Sequence, residues 1–368
     1  MNHAIITSLE EIDSLDFIPT LIVGFYHYEN KKIFLELYNT FHKHFPHADI
    51  VGCSGESVIY HTTPHIDIDG TNRCTFVCLE MKKGAYSLQL LSSGEKPHIN
   101  TDKNLHYSAI VLESCYTNNT EKIISLLNEE PNINQFFGSI SGLSSSDLNQ
   151  GTIFYNGIFS SDKTLFWFID ENHYFLKGLS QHNFNPIGYS LEITHTEGYK
   201  LLEIENEPAL DIIEKMIGTI NHESLISFDH PFFITTKSKQ NDAENMTPLS
   251  SILSIDREEK SITLYKKVKN GDKLKLAIPF SRKKQESQLE NFSQFYTKDS
   301  IAFLFVCISY RGHWGKMEPI YLMHLAKNLN VPFIGFHSLG EIGSLTSKAT
   351  SLMQNQTLTL AVLSERSL

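Results

Sequence analysis

Hydrophobic and polar positions repeat three times along the chain in the order strand, amphipathic helix, strand. The first unit starts with an apolar strand at 21–25, continues with apolar residues at helical spacing, and closes with a strand at 49–56. The second unit spans 109–142 and the third spans 303–341. Each is trailed by a run that alternates like an antiparallel strand, at 75–79, 152–155 and 357–362.

The spacing within these units is nearly constant. It is 27 positions from Phe25 to Gly52, 26 from Leu112 to Gly138, and 27 from Ile308 to Gly335. We expect each of these glycines to follow a strand that is buried in its sheet. Units of this kind place parallel strands side by side, joined by a right-handed crossover.

The pattern predicts an α/β protein of two related domains, built from repeated β-α-β-plus-hairpin units with mixed sheets. A layered αββα sandwich is one arrangement that suits this plan. The boundary is placed where Pro208 can begin a helix with Leu210, Ile213 and Ile217 on one face, which gives domains 1–207 and 208–368. The polar segment 235–248 predicts a loop, and 261–280 predicts a hairpin turned at Asn270-Gly271.

Charge and cysteine usage narrow the class of protein. The net charge of −11 argues against a nucleic-acid binder, which needs a basic face. The five cysteines are odd in number and scattered, as in reduced cytoplasmic proteins. No signal peptide is readable at the N-terminus, and no apolar run is long enough to insert into a membrane.

Two glycine-rich segments could carry chemistry. Gly52, Cys53 and Ser54 open a turn-like stretch that could be structural, could cradle a ligand, or could present a nucleophile. In the stretch around Gly138 and Ser139, Ile140 stands where a nucleophile elbow would have its serine. A hydrolase or transferase using Cys53 or a serine of 139–141 is therefore kept as the alternative function.

Metals and cofactors have weaker support. Histidines at 42, 44, 47, 61 and 65 lack the spacing of a ligand set, so we expect no metal and no cofactor.

The region 256–284 holds ten basic residues, which suit a solvated strand edge or a docking patch for an acidic partner.

Arg311 and Glu341 are the strongest site candidates. Each lies just past an apolar strand, where open α/β sheets place ligands. Arg311 could bind a carboxylate and Glu341 an ammonium, with the backbone amide of Gly340 beside them. The alternative is that the two side chains pair with each other as a structural bridge.

Residues in both halves of the chain resemble those of the FIST family, over almost its whole length. The C-terminal part does so through Arg311-Gly312, the strand at 332–336 and the Gly340-Glu341-Ile342-Gly343 motif; the N-terminal part does so through 48–54, 186–188 and 203–210. One departure is Ile308, which occupies the place where relatives usually have a cysteine three positions before the arginine.

The resemblance implies a prokaryotic sensory module that binds small ligands such as amino acids. It predicts FIST N-terminal-like and C-terminal-like domains, and an intracellular sensor of an amino acid or small carboxylate that catalyses nothing. The expected partner is a separate signalling protein such as a kinase, a cyclase or a chemotaxis component, because this length leaves no room for an output domain. A pure scaffold, without a pocket, is a further alternative. The predicted ligand-binding residues are Arg311, Glu341, Gly340, Gly52, Cys53, Ser54, Gly138 and Ser139.

Overall fold

Three repeats with one order of elements make up most of the chain in this computed structural model. It describes residues 1–62, 65–67, 74–100, 102, 104–114, 119–142, 151–220, 227–235, 249–295, 299–345 and 350–366. The first repeat comprises β1 (His3–Ile6), β2 (Leu21–His27), α1 (Lys31–His44), β3 (Asp49–Gly55), β4 (Val58–Thr62), β5 (His65–Asp67) and β6 (Cys74–Leu79). The second comprises β7 (Tyr86–Ser92), β8 (Tyr107–Glu113), α2 (Thr120–Asn128), β9 (Ile133–Ile140), β10 (Ile153–Tyr155), β11 (Ile158–Ser160) and β12 (Lys163–Asp170).

The third repeat contains a long insertion. It opens with β13 (Tyr174–His182). The insertion comprises β14 (Phe184–Glu197), β15 (Lys200–Ile204), β16 (Glu207–Pro208), α3 (Ala209–Ile217), β17 (Ser227–Thr235), β18 (Leu249–Asp256), β19 (Ser261–Leu264), β20 (Lys273–Pro279) and α4 (Arg282–Leu289). The repeat then continues with β21 (Ile301–Cys307), α5 (Ser309–Trp314), α6 (Glu318–Leu329), β22 (Phe333–Ser338), β23 (Gly340–Gly343), β24 (Leu352–Gln354) and β25 (Thr357–Glu365).

The repeats exchange hairpins in a cycle. Each six-stranded sheet takes four strands from one repeat and a hairpin from another, in the orders β1-β6-β2-β3-β10-β11, β7-β12-β8-β9-β23-β24 and β13-β25-β21-β22-β4-β5. In each repeat the strands before and after the helical segment pair in parallel, namely β2 with β3, β8 with β9 and β21 with β22, and the remaining pairs in these sheets are antiparallel. Two of these sheets therefore contain strands from both sides of residue 207.

The three sheets line one common core. Phe25 packs on Phe336 with ring centroids 4.9 Å apart, and Trp167 packs on Phe303 at 5.4 Å, so all three inner faces meet. The helices cover the outer faces. The α/β class with mixed sheets is confirmed, but the αββα sandwich is wrong, because three sheets instead of two bury their apolar faces against each other.

Gly52, Gly138 and Gly335 lie inside the buried strands β3, β9 and β22. The prediction that they follow those strands is therefore wrong. Each has its Cα partner on the neighbouring parallel strand: Gly24 for Gly52, Val111 for Gly138, and Leu304 for Gly335. A Cβ at Gly138 or Gly335 would come within 1.8 or 1.7 Å of the partner's carbonyl oxygen. Close approach of two strands, and no positive φ, requires glycine here.

The third repeat is longer than its sequence spacing indicated. In the register of the sheets, the counterpart of Phe25 and Leu112 is Phe305, because each of the three is paired with the residue that follows the strand glycine. Ile308 lies beyond β21. The extra residues lie between β21 and α6, where they fold as α5 and a 3-10 turn, Gly315–Met317.

The insertion closes into a six-stranded barrel. Its strands follow the order β14-β20-β17-β18-β19-β15, and β15 pairs again with β14. The predicted helix is present as α3, whose Leu210 and Ile213 are buried in the barrel core. The hairpin turned at Asn270-Gly271 is wrong, because β19 pairs with β15 and β18 while β20 pairs with β14 and β17. The predicted loop at 235–248 lies, from 236 onward, outside the described residues.

Candidate functional site

The repeats supply an internal comparison for Glu341. Each exchanged hairpin has one residue directly opposite a strand glycine, and the residue just before it occupies the same place in all three repeats. These equivalent residues are Val58, Ile153 and Glu341. Val58 and Ile153 are buried in the common core, as the apolar environment there demands. Glu341 is equally buried, at 0% exposure, yet carries a carboxyl group. The third repeat therefore departs from the other two by placing an acid at an apolar position.

Hydroxyl groups surround the Glu341 carboxyl. Ser338 Oγ donates to Oε1 at 2.7 Å, and Thr357 Oγ1 donates to Oε2 at 2.8 Å. Ser139 is the Cα partner of Glu341, and its Oγ donates to the Gly340 carbonyl at 3.1 Å. Because burial disfavours the charged form, the pKa of Glu341 is raised to about 8. The structure thus brings the predicted residues Ser139, Gly340 and Glu341 together.

The end of β21 and the start of α5 lie beside this acid. Burial, and then the charge of Glu341, raise the pKa of the Cys307 thiol to about 12. The same causes, with the Cys307 charge, raise the pKa of Tyr310, whose hydroxyl donates to the Gln181 carbonyl at 3.1 Å. Arg311 follows Tyr310 in α5, but its side chain lies outside the described residues. Its contact with Glu341 or a ligand stays a prediction.

Cys53, Ser54 and Gly52 lie in another part of the fold. Ser54 Oγ accepts from the Thr152 amide at 2.9 Å and lies 2.8 Å from Ser141 Oγ, which joins β3 to the second repeat. Cys53 is fully buried in the common core, and burial raises the pKa of its thiol to about 12. Such a thiol is a poor nucleophile because almost none of it is thiolate near neutral pH.

A second buried polar chain lies next to Ser338. Ser57 Oγ is 2.6 Å from His337 Nδ1, and His337 Nε2 is 2.7 Å from Glu318 Oε1 at the start of α6. All three residues are at most 5% exposed. The chain ties the exchanged hairpin of the first repeat to α6, and sequence reasoning did not identify it.

Sequence reasoning also missed Gln181 and Asn183, which flank His182 where β13 ends and the chain turns into β14. Both are at least nine-tenths buried, and both amide atoms of Gln181 and Oδ1 of Asn183 have no partner among the described residues. Their signal was present as a polar run, Gln181-His182-Asn183, directly after an alternating strand. A buried amide without partners is costly, so these groups are candidates for ligand contacts.

The described residues contain neither a metal-binding cluster nor a disulfide bond. Among the described residues, no group of three or more His, Cys, Asp or Glu could hold a metal ion. The four cysteines within the described ranges are free and buried, namely Cys53, Cys74, Cys78 and Cys307. Over the same ranges, no helix has the length and apolar character needed to cross a membrane.

Family models match nearly the whole chain. The FIST N domain matches residues 20–207 and the FIST C domain matches residues 209–344. The chain belongs to the FIST family. FIST domains are sensory domains of signal transduction, which suggests a role other than catalysis. A search of curated proteins finds no match.

The residues of the candidate site come from both the FIST N match and the FIST C match. Gly340 and Glu341 come from the FIST C match, while Ser139, Gln181 and Asn183 come from the FIST N match. Thr357, which donates to Glu341, lies beyond the FIST C match. The site is therefore assembled by the exchange of strands between repeats.

Proposed function

We propose that this chain is a cytoplasmic sensor that binds a small ligand beside Glu341 and passes the signal to a separate protein, without catalysing a reaction. One observation carries the proposal: a buried acid occupies the position at which the other two repeats have Val58 and Ile153. An ionisable group at an apolar position costs stability, and such groups concentrate at functional sites. The extra helix α5, which has no α-helical counterpart among the described residues of the other two repeats, starts next to this acid.

The proposed ligand is an amino acid or a small carboxylate. In this hypothesis the guanidinium of Arg311 binds the carboxylate as a planar fork, and Glu341 accepts from an ammonium or hydroxyl group. The partner would be a kinase, a cyclase or a chemotaxis component that binds the α5–α6 side of the molecule. FIST membership supports the sensory role but does not identify the ligand.

A thermal-shift screen against amino acids and small carboxylates tests the proposal. A ligand at a hundred times its dissociation constant stabilises the fold by about 2.7 kcal/mol. Glu341→Gln should abolish that stabilisation, whereas Glu290→Gln, an exposed glutamate, should leave it intact. The proposal fails if Glu341→Gln binds the ligand as well as the wild type does.

Arg311 offers a second test. Arg311→Ala and Arg311→Lys should both weaken binding strongly, because an ammonium does not reproduce a planar fork bound to a carboxylate. The melting temperature without ligand should change little. A large loss of stability with unchanged affinity would show that Arg311 is a structural residue.

The alternative function, hydrolysis or group transfer, has one observation in its favour, the Ser57–His337–Glu318 chain. However, Ser57 and His337 are 0% exposed, and Ser139 and Ser141 donate their protons to backbone carbonyls. We expect no labelling by a fluorophosphonate probe or by iodoacetamide in the native protein. Rapid stoichiometric labelling of Ser57, Cys53 or a serine of 139–141 would favour the enzyme.

A further inference from the structure

The inserted barrel contacts the surroundings of Glu341 at two places. Strand β18 of the barrel contributes Ser251, and Tyr265 directly follows β19. Both residues are at most 5% exposed, and the Tyr265 amide donates to the Ser251 carbonyl at 3.0 Å. The two contacts therefore come from one connected part of the barrel.

Tyr265 contacts the connection between β22 and β23. Its hydroxyl donates to the Leu339 carbonyl at 2.9 Å. Leu339 directly follows Ser338, the residue whose hydroxyl donates to Glu341 Oε1. A Cβ added at Gly340 would lie 3.1 Å from Tyr265 Oη, so the tyrosine packs tightly against the start of the exchanged hairpin.

Ser251 contacts the connection between β24 and β25. Its amide donates to Asn355 Oδ1 at 3.2 Å, and Gln356 Nε2 donates to Ser251 Oγ at 2.8 Å. Gln356 has a φ of +60°, a conformation that a residue other than glycine keeps only where its surroundings hold it. The next residue is Thr357, whose hydroxyl donates to Glu341 Oε2. Each hydroxyl donor of the carboxyl group is therefore the chain neighbour of a residue that the barrel holds.

We propose that Tyr265 and Ser251 are positioning residues through which the inserted barrel holds Ser338 and Thr357 against Glu341 and keeps water away from its carboxyl group. The effect is reciprocal, because a barrel position that favours one state of Glu341 is itself favoured by that state. A role of this contact in regulating the sensor rests on the proposed function; the positioning itself does not.

The ionisation of Glu341 can be followed without interference from its neighbours. Strand β21 and helix α5 place Cys307 and Tyr310 beside it. Burial, and then nearby charges, raise the pKa of the Cys307 thiol to about 12 and raise that of Tyr310, so neither ionises between pH ~5 and pH ~9. His337 precedes the donor serine in β22 and contacts Glu318. Comparing each protein with its own Glu341→Gln counterpart cancels the contribution of this pair.

The test measures the free energy of unfolding in urea across pH for each protein and for its Glu341→Gln counterpart. For the wild type the difference should grow as pH rises and level off near the pKa of Glu341, about 8. Tyr265→Phe and Ser251→Ala should each lower this levelling-off pH by at least about one unit, because water that reaches the carboxyl group favours its charged form. Burial is the largest cause of the raised pKa, and an entering water also replaces a displaced hydroxyl donor.

Tyr86→Phe and Ser300→Ala are the matched controls. The Tyr86 hydroxyl donates to a backbone carbonyl at 2.7 Å in β7, and Ser300 Oγ lies 2.7 Å from another serine hydroxyl before the start of β21. Both should lower stability and leave the levelling-off pH unchanged. If Tyr265→Phe does not fold, Ser251→Ala decides. An unchanged or higher levelling-off pH in the barrel variants, equal shifts in the controls, or a wild-type difference independent of pH would overturn the proposal.

The thermal-shift screen separates this inference from the proposed function. If the screen finds a ligand that depends on Glu341 while neither barrel variant moves the levelling-off pH, the sensor stands and the positioning role falls. If the barrel variants move it while no ligand depends on Glu341, the positioning role stands and the proposed sensor site falls.

Discussion

Glu341→Gln should make the protein more stable at neutral and alkaline pH, although it alters a fully buried residue with three hydrogen bonds. Glutamine has the same shape and keeps an acceptor for Ser338 Oγ. Its amide can donate to Thr357 Oγ1, since a hydroxyl can also accept. The substitution therefore removes the ionisable proton and, besides it, only the long hydrogen bond from the Thr357 backbone N–H to Oε2 at 3.4 Å.

The magnitude follows from the raised pKa of Glu341, about 8 in the folded protein against 4.5 for an ordinary, solvent-exposed glutamate. Between these values the unfolded chain is ionised at this residue while the folded chain keeps the proton. Wild-type stability therefore falls as pH rises, by about 1.4 kcal/mol per pH unit. The loss amounts to about 3 kcal/mol at pH ~7 and about 5 kcal/mol above pH ~8, and the glutamine variant avoids it.

Thermal and urea unfolding of both proteins at pH values of about 5, 7 and 9 measure the effect. The free-energy difference should be small at the lowest pH and should grow in favour of the variant as pH rises. The exposed Glu290→Gln serves as the control substitution. A variant that is less stable than the wild type at the highest pH, or a difference independent of pH, would refute the reasoning.

Three further predictions test the fold and its chemistry. Gly335→Ala should destabilise the protein by about 3 kcal/mol or more in thermal melting, because its Cβ would meet the Leu304 carbonyl oxygen at 1.7 Å; Gly84→Ala, with a φ of +81° and no atom within 4 Å, should cost only about 1 kcal/mol. Cys53 should stay unmodified by iodoacetamide at pH ~8 until the protein unfolds, since burial raises its thiol pKa to about 12, and mass spectrometry after a short exposure decides this. Elemental analysis should find no stoichiometric zinc or iron; one metal per chain, lost on substitution of His42 or His61, would contradict that.

Local pattern predicted the elements of the three repeats but not their pairing. The strands at 21–25, 109–113 and 303–308 and their covering helices are visible because each buries one face at a regular period. The local pattern does not predict that β4, β10 and β23 pair with strands of another repeat, since any hairpin with an apolar face could pair with any free strand edge. Asn270-Gly271 shows the same limit: the dipeptide marks a turn, but barrel closure chooses the partners of β19 and β20.

The candidate site was predictable only where charge stands next to an apolar strand. Glu341 was identified because an acid follows the apolar strand that ends near Ser338. Gln181 and Asn183 lie about 160 positions earlier in sequence, and nothing in their local pattern indicates that β13 joins the sheet of β21 and β22. Cys53 drew attention through its glycine neighbours, yet those glycines serve strand contact and place the thiol in the common core.

The repeats explain why the function would lie in one third of the molecule. Three copies of one unit suffice to build the common core, and at the position of Glu341 the first two copies have the apolar residues Val58 and Ile153. Departures from that pattern cost stability, so they persist where they do something else. The third repeat has three of them, the acid at Glu341, the added helix α5 and the inserted barrel, and Tyr310 lies where all three meet. A structural role would have scattered such departures over the three repeats; their convergence on one place is what a ligand site requires.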